Sequence, residues 1–442
     1  MFISRLESLS HHTMFRLPVE LQRHCVRFLN SETLRVLRLV SKTALPLGTE
    51  YLFSTLNVLP TESSARNYIN VLENATLNPL VRRVIFNTSE NPEDPGQKES
   101  ELLDSFEEAM HNVGRFPKLR EIEVRFASEC IREDGEDDLY GLAKDVAETT
   151  TFRTEVLKSF FRGLNHAEHP ATTCDSLTIK NLQDWTDEEI YESENFQAVC
   201  RRLKRLHLQI ATESDDASPE NSIEKPGCHH GFTEDLPDRW LKPLQSQLTH
   251  LTIYGTECFW GMWPFCDLRG IHFPKLKSLA LGNFTFVHDW QVDWILSHGH
   301  TLKELVLDDC PIVTVLDLDE AHIVPNWPDL PLIQGDDYDC YIKYVDLRWH
   351  QVLHRFQYGL PHLTHFTLGQ GDWSNQTMFE ERYEMLPRSL PCRYYMFEHD
   401  VGPSQWIGGD RGNYYIGNET FPECEKEDME ALTKLCVSAN RG

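Results

Sequence analysis

Along most of the chain, apolar residues recur as apolar-x-x-apolar-x-apolar. The sets are Val81-Val84-Phe86, Leu119-Ile122-Val124, Cys174-Leu177-Ile179, Leu203-Leu206-Leu208, Leu248-Leu251-Ile253, Leu276-Leu279-Leu281, Leu302-Leu305-Leu307 and Leu363-Phe366-Leu368. Within each set the last two positions are two apart, the period of a strand with one buried face. Segments with helical periodicity lie between them, at 102–113, 155–164, 188–203, 290–296 and 345–356. From Leu177 to Leu206 is 29 residues, from Leu251 to Leu279 is 28, and from Leu279 to Leu305 is 26. A period of that size implies stacked strand–helix units, an α/β solenoid with parallel strands inside and helices outside. The longer gaps are expected to hold insertions.

If the strand leucines point into the solenoid, the residues between and beside them face the open, concave side of the sheet. The richest neighbouring group there is Arg205, His207, His250 and Tyr254, a set suited to gripping a protein partner. Ser278, Ala280 and Gly282 are small and should leave a dip beside them, where a partner's side chain could enter. Regular repeats of this type carry Asn or Cys three residues past the last strand leucine. Only Cys310 fits that place, and Asn181 and Asn283 each fall one residue short.

Ahead of the repeats, the stretch from Phe15 to Val58 reads as three short helices. Leu17-Pro18 opens the first, since proline suits a first helical turn, and Leu21, Cys25 and Leu29 recur on one face. Asn30 or Ser31 can cap the second, whose apolar side carries Leu34, Leu37 and Val40. The third starts at Leu45-Pro46 and ends near Phe53. A helical trio of this size makes a poor independent core and usually needs a partner helix.

These residues resemble an F-box. The matching positions are Leu17, Pro18, Glu20, Leu21, Cys25, Leu29, Leu34, Leu37, Arg38, Leu39, Val40, Ser41 and Lys42; Cys25 stands where Ile is common, and Thr43 where an aromatic often follows. With the repeats, the chain resembles a divergent F-box/leucine-rich-repeat protein of the filamentous-fungal kind. The resemblance implies a substrate receptor of an SCF-type cullin–RING ubiquitin ligase, docked on a Skp-type adaptor and through it a cullin. Leu17, Pro18, Leu21, Cys25, Leu29, Leu34, Leu37 and Val40 would contact the adaptor, and the repeats would hold a target protein. The domain division expected is 1–59 for the helical module, 60–372 for the solenoid and 373–442 for an aromatic tail. That tail is read as a cap over the solenoid's open end.

Charge sharpens this reading. The chain carries −27, yet residues 1–60 hold seven Lys or Arg against four Glu, so nearly all the negative charge lies beyond them. An acidic body disfavours nucleic acid, while the basic module suits an acidic partner. The acidic stretches 90–108, 129–148 and 317–339 are expected to be solvated loops. No apolar run is long enough for a membrane span, and the opening residues do not form a secretion signal. Twelve scattered cysteines without a C-x-x-C pair suit reduced thiols in cytoplasm or nucleus.

Candidate chemistry is sparse. Cys228-His229-His230 is the nearest approach to a metal motif, with no second ligand pair at zinc-finger spacing. The chain has no nucleophile elbow, zinc-protease helix motif or Walker loop. Gly408–Gly412 lacks the strand–loop–helix setting of a phosphate site. No catalytic residue, cofactor or metal is therefore assigned. Two rival functions stand beside the receptor: an F-box scaffold that delivers nothing for degradation, and a metal-dependent hydrolase built around Cys228–His230.

Overall fold

The computed structural model describes residues 17–91, 101–128, 130, 148–212, 231–256, 259–318, 320–334, 339, 341–369, 394–398, 402–404 and 421–439. Three helices come first: α1 (Val19–Val26), α2 (Ser31–Val40) and α3 (Ala44–Leu52). The Asn30 side chain accepts from Thr33 N at 2.9 Å and so caps α2. Strands β1 (Thr55–Val58), β2 (Arg83–Asn87), β3 (Glu121–Arg125), β4 (Ser176–Gln183), β5 (Arg205–Ala211), β6 (His250–Thr256), β7 (Ser278–Gly282) and β8 (Glu304–Asp308) follow. The helices between them are α4 (Glu62–Glu73), α5 (Asp104–His111), α6 (Thr150–Leu164), α7 (Glu188–Tyr191), α8 (Glu194–Cys200) and α9 (Asp289–Leu296). Then come β9 (Ile312–Leu318), α10 (Glu320–Asn326), β10 (Tyr341–Tyr344), α11 (Trp349–Gly359), β11 (His365–Gly369), β12 (Tyr394–Glu398), β13 (Gly402–Ser404) and α12 (Glu425–Ala439).

Nine of these strands form one parallel sheet in the order β1-β2-β3-β4-β5-β6-β7-β8-β11. Every pairing in it is parallel, and the strands lie side by side in the order in which the chain makes them. The expected strand residues set its register: Val84, Ile122, Leu177, Leu206, Leu251, Leu279, Leu305 and Phe366 stand opposite one another across the sheet. All eight are buried in one continuous core with the inner faces of the helices. Aromatic rings run through that core from repeat to repeat. Phe86 meets Phe106 and Phe160, Phe160 meets Phe161, Phe161 meets Phe196, and Phe196 meets Trp240, all edge-to-face. Each such pair adds about 0.5–1.5 kcal/mol beyond area burial.

The turns after the strands use the off-position asparagines. Asn181 and Asn283 adopt φ of 55° and 56°, a region asparagine enters more readily than most residues. From there Asn181 Nδ2 donates to Phe126 O at 3.0 Å and Asn283 Nδ2 to Gly255 O at 2.8 Å. Cys310 Sγ also reaches back to the preceding strand, but to the carbonyl of its last leucine, Leu281 O, at 3.3 Å. Asp309, ahead of Cys310, takes the same left-handed turn with φ of 49°, so the three repeats share the turn and differ in which side chain reaches back to the preceding strand.

Three findings revise the sequence expectations. The sheet begins at β1, inside the segment given to the helical module, because Leu56 and Val58 pair with Val84 and Phe86 of the first expected strand. Next, residues 312–318 form β9, buried along its whole length, with Asp317 fully inside. The acidity of 317–339 had suggested a solvated loop there, but the apolar run Ile312–Leu316 outweighs it. Finally, β9 anchors a second sheet in the order β10-β9-β12-β13, which the repeat pattern does not announce.

In the tail, α12 lies against α11 and against β11, where the large sheet ends. Leu432 and Leu435 of α12 and Tyr394 and Phe397 of β12 join the main core. Trp373, Phe379, Tyr383, Trp406, Tyr414 and Tyr415 lie outside the described residues, as do Gly408–Gly412, residues 92–100 of the first acidic stretch and most of the second; the end of the first stretch, from Asp104, belongs to α5 and is no loop. Among the described residues, no helix is long and apolar enough to cross a membrane.

Candidate protein-interaction site

The N-terminal helices have a small core of their own, made by Val26, Leu34 and Leu47 with Leu29, Leu37, Tyr51 and Leu52 against it. Of the residues proposed to meet an adaptor, Leu17, Pro18, Leu21, Cys25 and Val40 are exposed. Leu34 is buried in the module, and Leu29 and Leu37 are half-buried against it. Leu34 and Leu37 lie on the side of α2 that packs on the module's core, and Leu29, in the turn before α2, folds onto the same core, so all three are removed from the outward set. Helical periodicity in turn missed Val19, Phe28, Val36, Leu39 and Leu45, all large, apolar and exposed. The quoted motif contains Leu39, and its signal was there: Leu37, Leu39 and Val40 together are too many apolar residues for one stripe.

Charges on the same module are partly engaged. Arg23 pairs with Glu50 at 3.0 Å, and Arg38 Nε donates to Thr49 Oγ1 at 3.0 Å while stacking on Phe53. Arg27 lies over the exposed Phe28 ring, 4.8 Å from its centroid. Arg35 and Lys42 are exposed as well.

On the outer face of the sheet, the alternation places the second proposed set on adjacent strands. Arg205 stands opposite His250, and His207 opposite Thr252, with Tyr254 opposite Gln209. Arg205, His207, His250 and Tyr254 are each partly exposed. Arg205 reaches across the small Ser176 of β4 to Glu121 on β3, at 2.8 Å. His207 Nδ1 lies 2.9 Å from Thr252 Oγ1. On the neighbouring strands Arg83 and Arg125 both bind Glu123. Burial pushes that carboxyl up, but the guanidinium groups of Arg125 and Arg83 outweigh it and hold Glu123 below the usual carboxylate range. Much of this face is therefore tied up in pairs of its own.

The dip expected at Ser278, Ala280 and Gly282 is filled. The Tyr254 ring lies so close over Gly282 that a Cβ there would sit 1.5 Å from Tyr254 Cδ2. The same ring packs on Ala280 and Val306. The small residues make room for this chain's own tyrosine and leave none for a partner. Elsewhere on these strands Lys180, Gln209 and Asp308 are buried. Cys228-His229-His230 lies outside the described residues.

The fold and these surfaces define an α/β protein with a serial parallel sheet and an apolar helical module at its N-terminus. No protein-family model matches the chain, and no curated protein matches it. Among solved structures, it is similar to the crystal structure of the TLR13–ssRNA13 complex at 12% identity and a TM-score of 0.28. That match covers 76% of this chain and 38% of the other.

Proposed function

We propose that this chain is the substrate-recognition subunit of an SCF-type cullin–RING ubiquitin ligase, working in cytoplasm or nucleus. The helical module would dock on a Skp-type adaptor, and the sheet face around Arg205, His207, His250 and Tyr254 would hold the target protein. The carrying observation is the distribution of exposed apolar side chains. Of the fourteen large ones exposed among the described residues, eight fall between Leu17 and Leu45. Apolar surface concentrated in this way marks an interaction site, and it coincides with the stretch that resembles an F-box. The chain needs no nucleophile in this role, because holding ligase and target together replaces a bimolecular encounter by proximity.

The test is affinity purification of the intact chain and of a chain lacking residues 1–53, followed by ubiquitination with the reconstituted ligase. The intact chain should retain adaptor and cullin and direct ubiquitin onto a co-purifying protein, and the shortened chain should retain only that protein. Equal adaptor recovery with both chains would refute the reading. Adaptor binding without ubiquitination of any bound protein would favour the scaffold role.

A further inference from the structure

We propose that His350, Cys424 and Asp428 form a binding site for a zinc-type dication, joining the N-terminal ends of α11 and α12. This inference is independent of the ligase reading. The imidazole nitrogen, thiol sulfur and carboxylate oxygen all lie within 4.8 Å of one another. Cys424 precedes the first turn of α12 and Asp428 follows one turn later, so helical geometry turns both towards the same neighbour. His350 enters from the first turn of α11. Sulfur, nitrogen and a single carboxylate make a donor set for zinc; magnesium and calcium want oxygen alone.

The surroundings are those of a built site. Asp428 is buried, and Tyr394 fixes its carboxylate by donating from its hydroxyl to Oδ2 at 2.7 Å. Tyr394 is itself held, because its hydroxyl accepts from Trp349 N at 2.8 Å. Asp428 Oδ1 accepts from His350 N at 2.7 Å and lies 2.8 Å from His350 Nδ1. Cys424 Sγ lies 3.4 Å from Asp428 Oδ2 and 3.4 Å from the Tyr394 hydroxyl. Such carboxylate-orienting partners are typical of the shell around a metal's ligands.

Bond lengths of about 2.0–2.3 Å to zinc place tetrahedral ligand atoms roughly 3.3–3.6 Å apart. Cys424 Sγ is at that separation from Asp428 Oδ2, His350 Nδ1 has to open by about half an ångström from Asp428 Oδ1, and thiol and imidazole start within 4.8 Å of each other. On binding, the thiol proton leaves to solvent and any proton on Nδ1 moves to Nε2. The metal then bonds sulfur, nitrogen and oxygen in place of those hydrogen bonds. A water or further donor completes the coordination on the side where His350 is partly exposed.

The experiment is titration of the untagged full chain, freed of metal by chelator, with cobalt(II) as a spectroscopic probe and then with zinc. One equivalent of cobalt should produce a thiolate-to-cobalt charge-transfer band, which zinc then displaces. Cys424→Ser should abolish the band, while Cys228→Ser leaves it intact. His350→Gln should weaken zinc affinity at least about tenfold. Far-UV circular dichroism checks that each variant is folded. No stoichiometric binding by the folded wild-type chain, or a band that survives Cys424→Ser, would overturn the assignment.

Discussion

Replacing Leu17 and Leu21 together by alanine tests the docking surface most directly. In the free chain Leu17 is 39% and Leu21 49% exposed, so docking can remove only that fraction from water. A fully buried leucine contributes about 1.5–3 kcal/mol, which leaves roughly 0.6–1.5 kcal/mol for each position here. The pair should then weaken adaptor binding by about 1.3–2.7 kcal/mol, roughly 10- to 100-fold in Kd. Isothermal titration of the full chain with a purified Skp-type adaptor reads this directly. The control is Leu34→Ala: Leu34 lies inside the module's own core, so that substitution should reduce the module's stability. If the double variant binds as tightly as wild type while remaining folded, the exposed leucines do not face the adaptor and the docking assignment fails.

Four further outcomes are expected. Arg205→Glu with Tyr254→Ala should abolish capture of non-ligase proteins while sparing adaptor binding; an unchanged set of partners in affinity purification would reject the sheet-face site. Arg153→Met should cost about 3–5 kcal/mol in chemical denaturation, because buried Glu148 loses its ion-pair partner and Ala127 O and Asn181 O lose guanidinium donors at 2.7 Å; adding Glu148→Gln should restore part of that loss. Asp235 is pushed up to about 6 by burial and by Asp184, against the hydrogen bond from Thr186. Its neutral form therefore contributes stability that is complete below about pH 4 and lost as pH rises through 6, so Asp235→Asn should raise the Tm at neutral pH and flatten that dependence. Ending the chain after Gly371 removes Leu432, Leu435, Tyr394 and Phe397 from the core and should yield aggregated or protease-sensitive protein; a soluble, cooperatively melting truncation would reject the cap.

The parallel sheet was legible because strand alternation has a period of two and each strand leucine has only one place to go. The cross-strand rows follow from that alone, which is why Arg205 and His250 fall side by side. What occupies a row was not legible. Nothing in the spacing of Ser278, Ala280 and Gly282 says that Tyr254 from the adjacent strand lies over them, since side-chain rotamers are chosen by packing. The inward turn of Leu34 was hidden for a similar reason: in a three-helix module the apolar stripe serves first to hold the helices together. The cluster at His350, Cys424 and Asp428 escaped because one ligand is more than seventy residues from the other two. Only the packing of α12 on α11 brings them together.

The helical module and the repeat sheet keep separate apolar cores, with no buried residue in common among those described. That separation has a mechanistic consequence. A surface substitution on α1 or α2 leaves the buried residues of the sheet core in place, and one on β5 or β6 leaves those of the module. The proposed adaptor docking and target capture should then be separable by substitution, and substitutions in cores with no buried residue in common should have additive effects on stability. The charge distribution acts in the same direction. On the proposed docking, an acidic body would repel an acidic adaptor and the basic, apolar module would attract it, steering approach to the module before the leucines make contact. Raising salt should therefore slow association with an acidic adaptor while leaving dissociation, which is governed by the buried apolar surface, nearly unchanged.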